Sequence, residues 1–215
     1  MNSRPTPPEA RSTYRHGDLR RALLDAGVEL AREGGPDAVV LREATRRAGV
    51  APNAAYRHFA SRQALLKAVR AASLSAVARA IEAELATLPT GLAPADFARA
   101  SVRAVGTGYL RFAQAETGLF RTAFALSDDL AVPDPSPERV GETGQSPYQL
   151  LGSALDKLVS AGIMPPERRP GAEFLAWSAV HGLAMLVIDG PLGPVIGPRM
   201  QQVGQRLLDM VEKGL

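Results

Sequence analysis

Three consecutive side chains, Tyr56, Arg57 and His58, offer a hydroxyl, a guanidinium and an imidazole. These groups hydrogen-bond phosphate oxygens and base edges. Just ahead of them stand Pro52, Asn53, Ala54 and Ala55, small enough to let a helix approach a DNA groove closely. Far along the chain, Trp177 and His181 are four residues apart and share a face if helical, with Phe174, Met185 and Ile188 nearby. An imidazole among apolar neighbours can hydrogen-bond a ligand held between helices, or it can be a core histidine bonded to a backbone carbonyl. Tyr109, Phe112, Phe120 and Phe124 form an aromatic stripe with the same two readings, core or pocket. His16 lies in a basic stretch and is read as solvated. The three histidines are scattered, and there is no HExxH, phosphate-cradling glycine loop or nucleophile elbow, so an enzyme is not expected. Neither a metal site nor a cofactor is anticipated.

Spacing places these groups on helices. The first 13 residues are rich in Pro, Ser and Arg and read as a disordered arm. Leu19, Leu23, Ala26 and Leu30 then recur at helical intervals, predicting a helix over 18–32, capped by Asp18 and stopped by Gly34-Gly35-Pro36. A short helix over 41–48 ends at Gly49. Pro52 opens a third helix, to about residue 59, because the first helical turn leaves that N–H unpaired anyway. Ser61 caps a long fourth helix reaching residue 88.

Beyond it, Val102, Val105, Tyr109 and Phe112 mark a fifth helix, with Gly106 and Gly108 permitting close approach of a backbone or a ligand. Residues 119–126 add a shorter segment. The four prolines and several acids of 127–147 predict a long mobile loop. Leu151, Leu155 and Leu158 mark the next helix. Residues 174–188 are apolar on nearly all sides, which predicts burial all round. Pro198 opens a last, amphipathic helix with Met200, Val203, Leu207 and Met210 or Val211 on one face. The fold class is therefore all-α, with about nine helices.

Composition agrees with a helical protein that meets a polyanion at one end. Apolar residues make up 46% of the 215, and aromatics only 5%, which suits helices better than strands. Residues 1–70 carry 13 Lys/Arg against 7 Asp/Glu, a net of +6, whereas the remainder carries 12 against 15. A basic head on a mildly acidic body points to DNA at the head alone. The absence of cysteine fits a reducing compartment. No apolar leader or spanning segment is read, so a soluble cytoplasmic protein without a membrane partner is expected.

The run Arg46-Arg47-Ala48-Gly49-Val50-Ala51-Pro52, then Tyr56-Arg57-His58-Phe59 and Ser61-Arg62-Gln63-Ala64-Leu65-Leu66, resembles the DNA-binding signature of TetR-type regulators. The resemblance covers roughly residues 15–68, with turn glycine, aromatic-basic run and capped helix in register. It implies a helix-turn-helix domain over 14–68 and a ligand-binding, dimerisation body over 69–215. It further implies phosphate contacts from Tyr56, His58 and Arg62, base reading by Asn53 and Arg57 beside Pro52 and Ala54, and a core role for Phe59. Three positions depart from the pattern: Val39-Val40-Leu41 lacks a capping threonine, Ala51 replaces a Ser or Thr cap, and Thr45 stands where a small Ala is usual.

Trp177-Ser178-Ala179-Val180-His181-Gly182 is similar to the Trp-His-Gly motif of one branch of such regulators. Trp177, His181 and Met185, with Tyr109 and Phe112 opposite, are then the candidate ligand contacts. The implied function is a repressor that leaves a palindromic operator when a small molecule binds the body. The implied partners are double-stranded operator DNA, a second copy of the chain and that effector. A sequence-blind DNA-binding protein is the alternative, which a footprint and the salt dependence of binding distinguish.

Overall fold

The computed structural model describes residues 16–125 and 137–215, and every described regular element is a helix. The expected arm at 1–13, and the part of the long loop over 126–136, lie outside the described residues. Helix α1 (His16–Gly34) begins two residues before the expected cap at Asp18 and stops at the anticipated Gly-Gly-Pro. Its stripe of Leu19, Leu23, Ala26 and Leu30 is buried, and each fully buried leucine contributes roughly 1.5–3 kcal/mol. Helices α2 (Leu41–Arg47) and α3 (Pro52–Ala55) pack onto it through Leu41, Ala44, Ala55 and Phe59. Arg47 adds a two-pronged ion pair to Glu33, at 2.7 and 2.6 Å.

Helix α4 (Arg62–Ala86) starts at the Ser61 cap, whose hydroxyl accepts from the Ala64 N–H at 3.1 Å. Its 25 residues span about 37 Å and run from the head into the body. Leu65 and Val69 are buried near one end, Val77 and Ile81 near the other. Helix α5 (Pro94–Ala115) lies along it. A Cβ on Gly108 would stand 2.8 Å from the Ala80 carbonyl oxygen, so this glycine is the close backbone approach anticipated from its missing side chain. Helix α6 (Thr117–Ala123) turns back and rests on α1. There a Cβ on Gly118 would collide with the carbonyl oxygens of Ala31 and Arg32, and Arg32 pairs with Glu116 at 2.8 Å.

Helices α7 (Pro147–Ser160), α8 (Ala172–Ile188), the single turn α9 (Gly193–Ile196) and α10 (Met200–Gly214) complete the body. Three expectations are corrected here. Residues 137–147 are pinned rather than mobile. The Ser75 hydroxyl donates to the Val140 carbonyl at 2.6 Å, and the Glu82 carboxylate accepts from the Glu142 and Thr143 N–H groups at 2.9 and 3.0 Å. A reciprocal Ser146–Gln149 capping box then starts α7.

Helix α8 is not buried all round within one chain. Ala172, Ala176, Val180 and Ala184 face inward, while Phe174, Leu175 and Leu186 are 55%, 68% and 46% exposed. The apolar residues of α10 divide between two sides. Met200, Gly204 and Leu208 are buried against the body, and Val203, Leu207 and Met210 are more exposed, Met210 most of all. The buried side of α10 is fastened to α5 by Arg99 and Arg103, which share Glu212 at 2.7 and 2.5 Å, Arg103 also reaching Asp209.

Candidate nucleic-acid interface and ligand cavity

The turn between α2 and α3 pivots on Gly49, whose φ of +66° is a conformation that side-chain-bearing residues rarely adopt. The Val50 N–H returns to the Thr45 carbonyl at 3.1 Å, closing the end of α2. Buried Thr45 turns its hydroxyl onto the Arg42 carbonyl at 2.6 Å, so the departure from a small Ala is absorbed within the helix. Neither Val40 nor Ala51 makes a side-chain cap bond. Helix α3 is a single turn, shorter than expected, and residues 56–58 continue as turns closed by the His58 and Phe59 N–H groups on the Ala55 carbonyl, both at 2.9 Å.

This geometry sorts the side chains cleanly. Ala55 and Phe59 point into the head, with the Arg20 guanidinium 5.3 Å above the Phe59 ring. Pro52, Asn53, Tyr56 and Arg57 are exposed, Tyr56 by 58%, and Ala54 and His58 are half-buried. The structure thus brings the candidate readers onto one solvent-facing ridge. It also exposes Arg42, at the start of α2, whose side chain has no ion-pair or hydrogen-bond partner among the described residues. Sequence reasoning missed this cation, although its place one residue after Leu41, in the first turn of the helix, was a usable signal. Arg46 is paired instead with Glu43, whose carboxyl that contact holds down at about 2.

In the body a cavity of about 360 Å³ lies among α4, α5, α6, α7, α8 and α10. Leu74, Ile81, Val102, Leu151 and Leu208 supply much of its wall. Its polar centre is a relay. The Trp177 indole N–H donates to the Tyr109 hydroxyl oxygen at 3.1 Å, and that hydroxyl lies 2.7 Å from His181 Nδ1. Phe120 and Phe124 flank the relay, with ring centroids 5.8 and 5.0 Å from the His181 ring. Burial pushes the Tyr109 hydroxyl far above the usual tyrosine range and the His181 imidazole below the usual histidine value. The cavity thus holds a protonated phenol and a neutral imidazole near pH 7. Arg70 and Arg139 are also among its lining residues, the Arg70 Nε–H donating to the Ala123 carbonyl at 3.1 Å.

Residues 23–69 match the family model described as bacterial regulatory proteins, tetR family, and residues 102–211, half of the chain, match the tetracyclin repressor-like C-terminal domain. The chain belongs to the TetR family. It is accordingly a transcription regulator with an N-terminal DNA-binding helix-turn-helix and a helical C-terminal body. Among solved structures it is similar to a protein of unknown function from Rhodococcus sp. RHA1, at 26% identity and a TM-score of 0.73, covering 95% of this chain and 99% of that one. The fold also matches the TetR family regulator PfmR from Thermus thermophilus, at 19% identity and a TM-score of 0.54 over 90% and 98% of the two chains. A TetR regulator from Rhodococcus sp. RHA1 is similar in fold at 22% identity and a TM-score of 0.53, over 92% and 97%. No curated protein matches the chain.

Of the residues expected to contact a ligand in this TetR-family body, Tyr109, Trp177 and His181 line this one cavity. Phe112 and Met185 do not line it, and both are corrected to packing residues. Phe112 is buried one turn beyond Tyr109, and Met185 packs on the core one turn beyond His181. One turn of helix is about 5.4 Å, enough to carry a side chain past the cavity's end. Arg62 has a role that the sequence did not suggest. Its guanidinium donates to the Val39 and Pro36 carbonyls, both at 2.8 Å, and so holds the turn that leads into α2. Among the described residues, no single helix is long and apolar enough to cross a membrane.

Proposed function

We propose that this TetR-family regulator is a homodimeric repressor that leaves a pseudo-palindromic operator when a small molecule enters the α5–α8 cavity. The observation that carries this reading is the position of α6. Its Phe120 packs edge-on against the Tyr109 ring at 5.3 Å, beside the cavity. Two residues earlier, Gly118 lies directly on the α1 carbonyls of the head. A ligand that displaces the relay therefore moves a helix that bears on the DNA-binding unit. We read the chain as a head over 14–68 and a body over 69–215, with α4 and α6 as the two connections. Ligand binding lowers operator affinity only to the extent that the ligand prefers a conformation with wrongly spaced heads.

In this reading Asn53 and Arg57 read bases beside Pro52 and Ala54, while Tyr56, His58 and Arg62 contact phosphates, joined by Arg42. Arg62 then acts chiefly by holding α2, since two of its donors are engaged within the chain. Dimerisation is supported by the outer stripe of α8. Leu175, Ser178, Gly182 and Leu186 succeed one another at intervals of three, four and four, with small residues in the middle that allow another helix to come close. The reading is tested by selecting genomic fragments with the purified protein, footprinting them and then titrating candidate effectors into the complex. Two protected half-sites related by two-fold symmetry, released by a compound that perturbs Trp177 fluorescence, are the expected result. Binding that is blind to sequence and merely salt-sensitive removes the operator-specific reading.

A further inference from the structure

The relay at the cavity fixes where its proton stands, and with it the chemistry of the ligand. The indole N–H of Trp177 can only donate, so it occupies one lone pair of the Tyr109 oxygen. The Tyr109 hydroxyl retains its single proton, and the only acceptor within reach among the described residues is His181 Nδ1, at 2.7 Å. Were Nδ1 protonated instead, the Tyr109 proton would be buried without an acceptor, a loss the donor–acceptor order avoids. His181 therefore carries its ring proton on Nε2. That nitrogen has no protein partner among the described residues, and it is not sealed inside the packing either, because no buried side-chain polar atom is left unsatisfied. His181 lines the cavity, so Nε2–H is a donor presented to whatever fills it.

The rest of the wall points the same way. Among the described residues no Asp or Glu lines it, and its two arginines, Arg70 and Arg139, have partners of their own. A cationic amine, which can only donate, has no carboxylate to meet there and no acceptor at Nε2–H. Most of the remaining wall is aliphatic or aromatic, which favours an apolar body. We propose that the cavity takes a largely apolar small molecule whose acceptor oxygen, from a carbonyl or a carboxylate, receives the His181 Nε2–H hydrogen bond. This rests on reading the cavity as the effector site.

Four probes of one shape test it, titrated into the purified full chain and followed by Trp177 fluorescence: 4-butylbenzoate, 4-butylacetophenone, 1-butyl-4-ethylbenzene and 4-butylbenzylamine. The benzoate and the ketone are expected to bind about tenfold or more tighter than the hydrocarbon, the usual worth of a well-placed buried hydrogen bond, and the amine is expected to bind weakest. A benzoate that outbinds the ketone identifies a carboxylate as the natural group, and equal affinities identify a neutral carbonyl. In His181→Phe the advantage of both oxygen-bearing probes over the hydrocarbon should vanish. Nitrogen-15 NMR of the unaltered protein, in which the tautomer of His181 is read from its two ring nitrogens, gives a measurement independent of any substitution. The Nε2–H form is expected, with Nε2 the nitrogen that shifts when the ketone is added.

An Nδ1–H tautomer, tightest binding of the amine, a ketone no better than the hydrocarbon, or no binding of either oxygen-bearing probe overturns the proposal. Probes that bind in the expected order but leave the operator complex intact support this ligand chemistry while refuting the inducer reading.

Discussion

The head and the body of this regulator bury aromatic residues to opposite ends. In the head, Phe59 fills the space under α1 so that its sequence neighbours Asn53, Tyr56 and Arg57 stay outside. In the body, Tyr109 is just as buried, yet it is itself the polar centre of a cavity shared with residues 68 and 72 positions away. One site is a surface written by short-range spacing. The other is a volume left between six helices. A local signature therefore names the residues of the first, whereas the second depends on how far each helix projects past its neighbours. The comparison is sharpened by perturbing each region separately, and the connections between them.

The largest effect is expected outside both sites, on the exposed stripe of α8. Leu186 is nearly half exposed in the single chain, so Leu186→Glu leaves the protomer folded. In a dimer it would place an unpaired charge in the interface, at a cost of roughly 3–5 kcal/mol. Light scattering should then report a monomer, and operator binding should fall with it because only one half-site can be held. A folded, fully dimeric variant assigns the interface to another face.

Next in size is the contact between the two regions. Gly118→Ala drives a Cβ into the Ala31 and Arg32 carbonyls, where backbone must move rather than a side chain. A loss of about 3 kcal/mol is expected, at the upper end for overpacking, read as a fall in the thermal midpoint. The variant also separates α6 from α1, so surviving protein should bind operator while responding less to ligand. An unchanged midpoint with normal induction would make α4 the sole connection between head and body.

Within the head, Arg57→Ala is expected to cost about 1–3 kcal/mol on the operator and little on random DNA, the signature of base reading. Equal losses on both would make Arg57 a phosphate contact. Arg62→Ala differs in kind. It removes two hydrogen bonds to the carbonyls that lead into α2, so a lowered midpoint of about 1 kcal/mol per bond should accompany weakened binding to every sequence. Lysine cannot span both carbonyls with a planar fork, and Arg62→Lys should recover the salt dependence better than the stability.

These cases also mark what could be read from the residues alone. The helix order, the Gly49 turn, the Ser61 cap and the exposure of Asn53, Tyr56 and Arg57 were all legible, because each depends on neighbours within a few positions. Arg62 was assigned by register to phosphate, but its partners lie 23 and 26 residues back and no spacing rule reaches them. Tyr109, Trp177 and His181 could be nominated by type, and their convergence depended on the packing of α5 against α8. Phe112 and Met185 failed by a single helical turn. The loop over 137–147 looked mobile from its prolines and acids, and Glu82 on a distant helix decided otherwise.

The smallest predicted effect belongs to the cavity, and its sign follows from burial. His181 is held below the ordinary histidine value of about 6.5 because burial disfavours its charged form. The unfolded chain therefore takes up a proton at this position as the pH falls through 6.5, while the folded chain does not until lower pH. Folded-state stability is at its full value above that pH and declines below it, until the folded ring also protonates. The decline should be shallower in His181→Phe when denaturant midpoints are compared between pH 7.5 and 5.5. Carboxylates held low by ion pairs, Glu33 and Glu43 in the head and Glu212 in the body, lose their partners' benefit only below about 4.5 and so do not enter this window. A ligand accepting from His181 Nε2 should make the slope shallower, a carboxylate most of all, since the protonated ring donates the same bond more strongly and the folded ring then protonates at higher pH. Identical slopes in the two proteins would place His181 in contact with bulk water, and the cavity would then be a surface groove, much closer in character to the exposed ridge of the head.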